Sequence, residues 1–427
     1  MKSDWISCDG GGQPEIRPAA RTPIQAEFIS RRSLLAWASL GLLGPATALG
    51  QVAINPQLPP ATGEAVVVIF LRGGADGLNM VVPYEERGYY DGRPSLALKK
   101  SDCLALNDQF GLHPSLRAMA DLFESKELAI FHATGSGDQT RSHFEAMSAM
   151  ERGLMRDAGS SHEGWIARYL TLEQRRSASP LRAVALSTTL PDSLRGGPPA
   201  IVLNKIDEFK LNLQDERWLR WIEAMYAGDS DEVIQAGGST VSVIQTLAKL
   251  AATHKPGKSK YPASDLGRGL EQVALLIKSG IGLEIACLDK GGWDTHVGQG
   301  QTSGWMPGLL ADLADSIAAF LRDLGEHRSR TTVIVQTEFG RRLSENSGLG
   351  TDHGRGSVMF VLGGSVKGGR VLGDWPGLDR GDLEGPGDLR VTTDYRSVLS
   401  QVLQRKLGAT HTDEIFVGAP RLSELIF

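Results

Sequence analysis

The sequence predicts an α/β protein whose mostly parallel sheet is covered by helices on both faces. Short, β-branched apolar runs bounded by turn residues recur along the chain, and between them lie stretches with apolar residues at three- and four-residue spacing. A chain of 427 residues that is 41% hydrophobic and 22% charged also carries enough apolar material for a large core. Strands that alternate with helices become parallel neighbours, because each crossover helix has to pack back onto the sheet.

The elements follow in order. Residues 65–71, AVVVIFL, form a continuous apolar run, the mark of a strand buried on both faces. A helix is expected at 116–123, a strand at 128–132 and a helix at 144–155. Strands at 183–186 and 200–203 precede a helix-dominated segment, 211–257, which reads as a cap beside the sheet, with helical spacing at 218–226 and 241–250. The basic, turn-rich stretch 253–264 reads as a surface loop. Helices at 266–277 and 309–324 alternate with strands at 283–288, 332–336 and 358–362. The Gly- and Asp-rich stretch 373–388 lacks periodicity and is expected as an exposed loop. Asp394 caps a last helix at 395–407, which stops at Gly408.

Charge and leader restrict the setting. With 45 Lys and Arg against 50 Asp and Glu, the net charge of -5 offers no basic excess for gripping a nucleic-acid backbone. Ser30-Arg31-Arg32-Ser33-Leu34-Leu35 sets paired arginines before an apolar run at 34–43, too short for a bilayer span; Pro45 breaks it and Ala46-Thr47-Ala48 follows. This resembles a twin-arginine export signal over 1–48, leaving 49–427 as an exported or periplasmic domain with no further segment that reads as membrane-spanning. Cys8 would be removed with the leader, so only Cys103 and Cys287 reach the outside; they could pair, but Cys287 lies in an apolar run and reads more simply as a small buried hydrophobe.

Ligands of open parallel sheets bind beyond the carboxyl ends of the strands, so polar residues there are the candidates for chemistry. After 65–71 comes Arg72-Gly73-Gly74-Ala75-Asp76-Gly77, where the glycines can turn the backbone and present Asp76 as an oxygen ligand or simply as a turn residue. After 283–288 comes Gly291-Gly292-Trp293-Asp294-Thr295-His296; residues two apart on an extended stretch share a side, so Asp294 and His296 can grip one cation. After 332–336 comes Thr337-Glu338-Phe339-Gly340-Arg341-Arg342, with Glu338 a metal ligand and Arg341 an anion holder, or both parts of a salt-bridge cluster. Asp352 and His353, flanked by glycines, stand just before 358–362. For the nucleophile, Ser142 begins a helix, with Thr140 competing and Arg141 at hand to steady an anion; Ser142-x-x-Glu145 is equally a capping box. Mixed carboxylate and imidazole ligands suit two divalent ions, whether zinc, manganese, iron or calcium, which would activate an oxygen nucleophile and neutralise the displaced group.

Arg72-Gly73-Gly74-Ala75-Asp76-Gly77, Arg141-Ser142-His143-Phe144, Gly292-Trp293-Asp294-Thr295-His296, Thr337-Glu338-Phe339-Gly340-Arg341 and Gly350-Thr351-Asp352-His353-Gly354 resemble, in this order, the motifs of an exported bacterial family called domain of unknown function 1501. That family is similar to the alkaline phosphatase and sulfatase superfamily. The resemblance implies a three-layer α/β/α sandwich and a metal-dependent hydrolase of phosphate or sulfate esters. It casts Asp76 as the ligand after the first strand, Asp294 with His296 as the pair of one metal, and Glu338, Asp352 and His353 as the other positions. The superfamily has an Asp-His pair where this chain has Glu338-Phe339, so one imidazole is missing or is supplied by His143, His113 or His132. The Cys- or Ser-bearing signature of classical sulfatases is absent from the sequence. The competing expectation is an inactive exported binding or assembly protein on the same fold, working with an envelope partner.

Overall fold

The computed structural model describes residues 63–154, 162–174, 180–204, 206, 241, 243–250, 252 and 259–427. The leader at 1–48 lies outside the described residues, as does the expected cap at 211–257 apart from 241, 243–250 and 252, which are helical.

A nine-stranded sheet forms the centre among the described residues. Its strands are β1 (Ala65–Leu71), β2 (Leu128–Gly135), β3 (Ala183–Leu186), β4 (Ile201–Leu203), β5 (Ile285–Lys290), β6 (Thr331–Thr337), β7 (Ser357–Leu362), β8 (Arg370–Leu372) and β9 (Thr393–Asp394). The order across the sheet is β8-β2-β7-β6-β1-β5-β3-β4, with β9 also on β2. Every pairing is parallel except those of β7, which runs antiparallel to both β2 and β6. The carboxyl ends of β1, β2, β5 and β6 and the amino end of β7 therefore share one crest.

Alternation along β1 explains the layers. Val67, Ile69 and Leu71 pack with α1 (Arg117–Glu124), α4 (Asp265–Lys278) and α5 (Trp305–Asp323) on one face. Val66, Val68 and Phe70 point the other way, against α3 (Trp165–Leu172) and α6 (Tyr395–Lys406). A run that is apolar at every position is what two covered faces require, and the expected α/β/α sandwich is the observed fold. α2 (His143–Arg152) leaves the crest after β2.

Element ends moved by a few residues from expectation. The expected cap on the last helix is formed: Asp394 accepts the Arg396 N–H at 2.9 Å, and Gly408 takes φ +63° two residues after α6. The stretch 373–388 is not simply an exposed loop, since Leu378 and Asp388 within it are buried. Cys103 and Cys287 are free thiols, the second buried. No helix among the described residues is long and apolar enough to cross a membrane.

Candidate metal centre

Four crest segments meet above the sheet. Arg341 ties them: its buried guanidinium donates to the carbonyls of Gly74 at 2.6 Å, Thr351 at 2.8 Å, Trp293 at 3.0 Å and Gly73. These carbonyls belong to the loops after β1 and β5 and to the hairpin of Arg341–Glu345 with Thr351–His353. Gly73 sits at φ +121° with the Asp294 amide so near that an added Cβ would lie 2.6 Å from its nitrogen, so only glycine allows the two loops to close.

Within this closure three imidazoles and one carboxylate converge. Asp294 Oδ1 is 3.1 Å from His353 Nε2, 3.1 Å from His296 Nε2 and 3.3 Å from His143 Nε2. His296 Nε2 and His353 Nε2 are 2.8 Å apart. Each ring is held from behind through Nδ1, which faces an acceptor: Glu338 Oε1 at 2.7 Å for His143, Asp352 Oδ1 at 3.1 Å for His296, and the Arg141 carbonyl at 2.8 Å for His353. Three Nδ1–H groups directed outward leave three Nε2 lone pairs directed inward, the tautomer that ligating histidines adopt. His143 Nε2 is buried and has no hydrogen-bond partner.

Neighbouring groups set the charge at the cluster. Burial works to raise the Asp294 pKa, but the hydrogen bond from the Arg341 guanidinium and its positive charge outweigh it and hold the carboxyl down to about 2. The hydrogen bond to Glu338 raises the His143 pKa against the opposing effect of burial. Desolvation lowers that of His353 against the raising effect of its bond to the Arg141 carbonyl. Three nitrogen lone pairs and an ionised oxygen at these separations repel one another unless a proton or cation lies between them. His143, Asp294 and His353 form a group that could hold a cation, with ligand atoms all within 4.8 Å of one another, and His296 Nε2 adjoins it, 2.8 Å from His353 Nε2.

Several expected site residues have other work. Both oxygens of Asp76 are engaged, by Arg93 at 2.6 and 2.9 Å and by Gln299 at 2.7 Å, in a fully buried pair away from the histidine cluster. Glu338 stands behind the His143 ring; besides His143 it accepts the Gly73 N–H at 2.8 Å and the Thr337 hydroxyl at 3.1 Å. Asp352 does the same for His296 while accepting from Asn346 at 2.9 Å, the bond that chiefly lowers its pKa. Arg341 cannot reach an anion from solvent, because its donors are spent on the loops and on Asp294 at 2.7 Å.

Of the three histidines that could supply a further imidazole, His143 is the one in the cluster. His113 and His132 are structural: His113 bonds Gln301 O at 2.7 Å and caps a turn at Ser115, and His132 bonds Val81 O at 2.8 Å and its neighbouring amide. Ser142 is the N-cap of α2 yet its side chain makes no capping bond, so the expected capping box is not formed. Thr140 takes that place, donating to Glu145 at 2.9 Å and accepting the Ser142 N–H at 3.1 Å, which commits its hydroxyl. Arg141 is anchored on the buried Asp388, with its side chain still a third exposed. Arg342, which sequence reasoning passed over, lies between Asp352 at 3.8 Å and Asp388 at 3.9 Å and is similarly exposed.

No curated protein matches the chain. Among solved structures it is similar to a 2-O GAG sulfatase, at 9% identity over 72% of this chain and 66% of that one, with a TM-score of 0.28. The chain thus spans just under two thirds of that sulfatase. It is also similar to a TAB5 alkaline phosphatase mutant with Mg bound, at 11% identity over 72% and 92% of the two chains and a TM-score of 0.28. A third likeness is the phosphonate monoester hydrolase of Agrobacterium radiobacter, at 10% identity over 84% and 78%, with a TM-score of 0.27. Residues 266–416, which carry Asp294, His296, Glu338, Asp352 and His353, match the model of the family described as Protein of unknown function (DUF1501), the family that the sequence motifs resemble.

Proposed function

We propose that this chain is an exported, metal-dependent hydrolase of phosphate or sulfate esters in the cell envelope. The observation that carries the reading is that the Nε2 atoms of His143, His296 and His353 all lie within 3.3 Å of Asp294 Oδ1 at the carboxyl crest of the sheet. His143, Asp294, His296 and His353 would hold a single divalent ion. Bound there, the ion would polarise the ester and offset the charge of the group displaced.

The chain's own residues supply the rest. Ser142 lies beside His143 at the amino end of the ten-residue helix α2, with its hydroxyl free of any capping bond. The helix dipole favours both alkoxide character at Ser142 Oγ and a phosphoryl or sulfuryl group nearby. Ser142 Oγ is therefore the proposed nucleophile, with Arg141 and Arg342 steadying the anionic oxygens. The paired arginines, apolar run and Ala46-Thr47-Ala48 of the leader support export.

A second reading follows from one observation: Asp76 is engaged by Arg93 and Gln299, Arg341 is spent on the loops and on Asp294, and the described residues hold one cluster of metal-binding groups rather than two. On that reading the exported protein binds a ligand, or assembles with an envelope partner, without turnover. Metal analysis of the purified chain and a panel of phosphomonoesters, phosphodiesters and sulfate esters separates the two. The hydrolase reading expects bound metal and a turnover that disappears in Ser142→Ala and in Asp294→Ala. Metal content unchanged in Asp294→Ala, or no turnover of any ester by the metal-loaded chain, defeats it.

A further inference from the structure

Six large apolar side chains are exposed among the described residues: Phe144, Val297, Trp305, Leu349, Val417 and Leu425. Scattered exposed hydrophobics are ordinary, but the first four are not scattered. Phe144, 85% exposed, follows His143; Val297, 77% exposed, follows His296. Leu349, 56% exposed, belongs to the turn that leads to His353, and Trp305, 61% exposed, donates its indole N–H to Gly292 O at 2.8 Å, two residues before Asp294. Each segment that brings a ligand to the centre thus also carries an apolar group to its rim.

The rim is built. Gly298 N donates to Gly348 O at 2.9 Å and Gln299 N to Leu349 O at 2.9 Å, which holds Val297 and Leu349 side by side. Leu349 is kept at φ +55°, a backbone state that branched residues avoid, while its side chain stays in water. Successive helical residues point about 100° apart, so Phe144 stands beside the His143 ring rather than beneath it. The anion-seeking part is inside this rim, in the cation-ready cluster with Arg141 and Arg342 next to it.

We infer that the centre takes amphiphilic esters: an anionic phosphate or sulfate head at the cluster, carrying an aryl or comparably bulky apolar group that lies on Phe144, Trp305, Val297 and Leu349. The inference rests on the hydrolase reading for the chemistry of the head group, but not for the binding of the apolar part. A hydrocarbon group on this rim removes exposed apolar surface on both partners, whereas a small polar alcohol leaves it wet.

The test uses the full chain loaded with zinc, with 1-naphthyl phosphate and glycerol 2-phosphate as the matched pair of esters. The expected result is a kcat/KM preference of about tenfold or more for the naphthyl ester, falling toward parity in Phe144→Ser/Trp305→Ser. Should neither ester be turned over, the hydrolase reading fails by itself, and direct binding of the two esters still decides this inference. Tighter binding of the naphthyl ester that weakens in the double variant sustains it. Equal binding of the two, or an unaltered naphthyl affinity in the variant, overturns it. So does adsorption to phosphatidylcholine vesicles without discrimination between the esters, which would make the rim a membrane contact.

Discussion

The Nε2 atoms of His296 and His353 stand 2.8 Å apart, and neither ring has a proton to offer the other, because each spends its Nδ1–H on an acceptor outside the cluster. Such a contact is stable only around a shared positive charge. A metal ion held by both nitrogens would supply it.

The first prediction is therefore a stoichiometry. Purified chain exposed to zinc or manganese and then desalted is expected to retain about one ion, as a four-ligand site requires. Asp294→Ala and His353→Ala are each expected to lose it, read by elemental mass spectrometry. Two equivalents retained in the unaltered chain would show that a second cluster exists.

Glu338 is expected to act through His143. Glu338→Gln keeps a similar shape but removes the carboxylate that accepts the His143 Nδ1–H at 2.7 Å. Metal affinity is expected to fall about ten- to a hundredfold, the usual effect of losing an orienting acceptor, without loss of the folded state. Competition with a chromophoric chelator measures it; a complete loss of metal would instead make Glu338 a ligand.

Asp76 should matter for stability rather than for metal. Removing its carboxylate in Asp76→Ala leaves the Arg93 guanidinium buried with its charge unpaired. A cost of about 3–5 kcal/mol is expected, visible as a lower urea midpoint, while whatever folded protein remains should still bind metal.

Acid should weaken the fold through His132. Burial depresses its pKa from 6.5 to about 4, so the native ring stays neutral while the unfolded ring takes up a proton. Its contribution is complete above pH 6.5 and is lost as the pH falls through the window down to about 4, by about 3 kcal/mol at most. Urea unfolding at several pH values should show a shallower decline in His132→Gln than in the unaltered chain. Equal slopes would exclude this ring as a source of the acid sensitivity.

Much of the architecture was legible in the sequence because burial on two faces leaves a plain trace: residues 65–71 and 183–186 are strands at the expected bounds. The crest was legible for the same reason, since polar residues directly after such runs must emerge there. What the sequence does not distinguish is a carboxylate that grips a cation from one that stands behind an imidazole. Glu338 and Asp352 have the composition of ligands, and only ring orientation assigns them. His143 was obscured by Ser142-x-x-Glu145, whose spacing reads as a cap, although the Ser142 side chain makes no such bond. The exchange between Arg341 and Arg342 had a signal: adjacent residues on a strand face opposite ways, and the burial along Arg341–Glu345 alternates at its start. The helix Trp165–Leu172 escaped because its first six residues are all buried, which blurs a helical period.

The reversed direction of β7 has a last consequence. Were it parallel, the chain would have to cross beneath the sheet before entering it, and the residues ahead of β7 would emerge on the opposite rim. Because it returns from the top, one excursion between Thr337 and Ser357 delivers Glu338, Arg341, Arg342, Asp352 and His353 together. That excursion enters and leaves by the same rim, so its length is not constrained by the spacing of the strands beneath it.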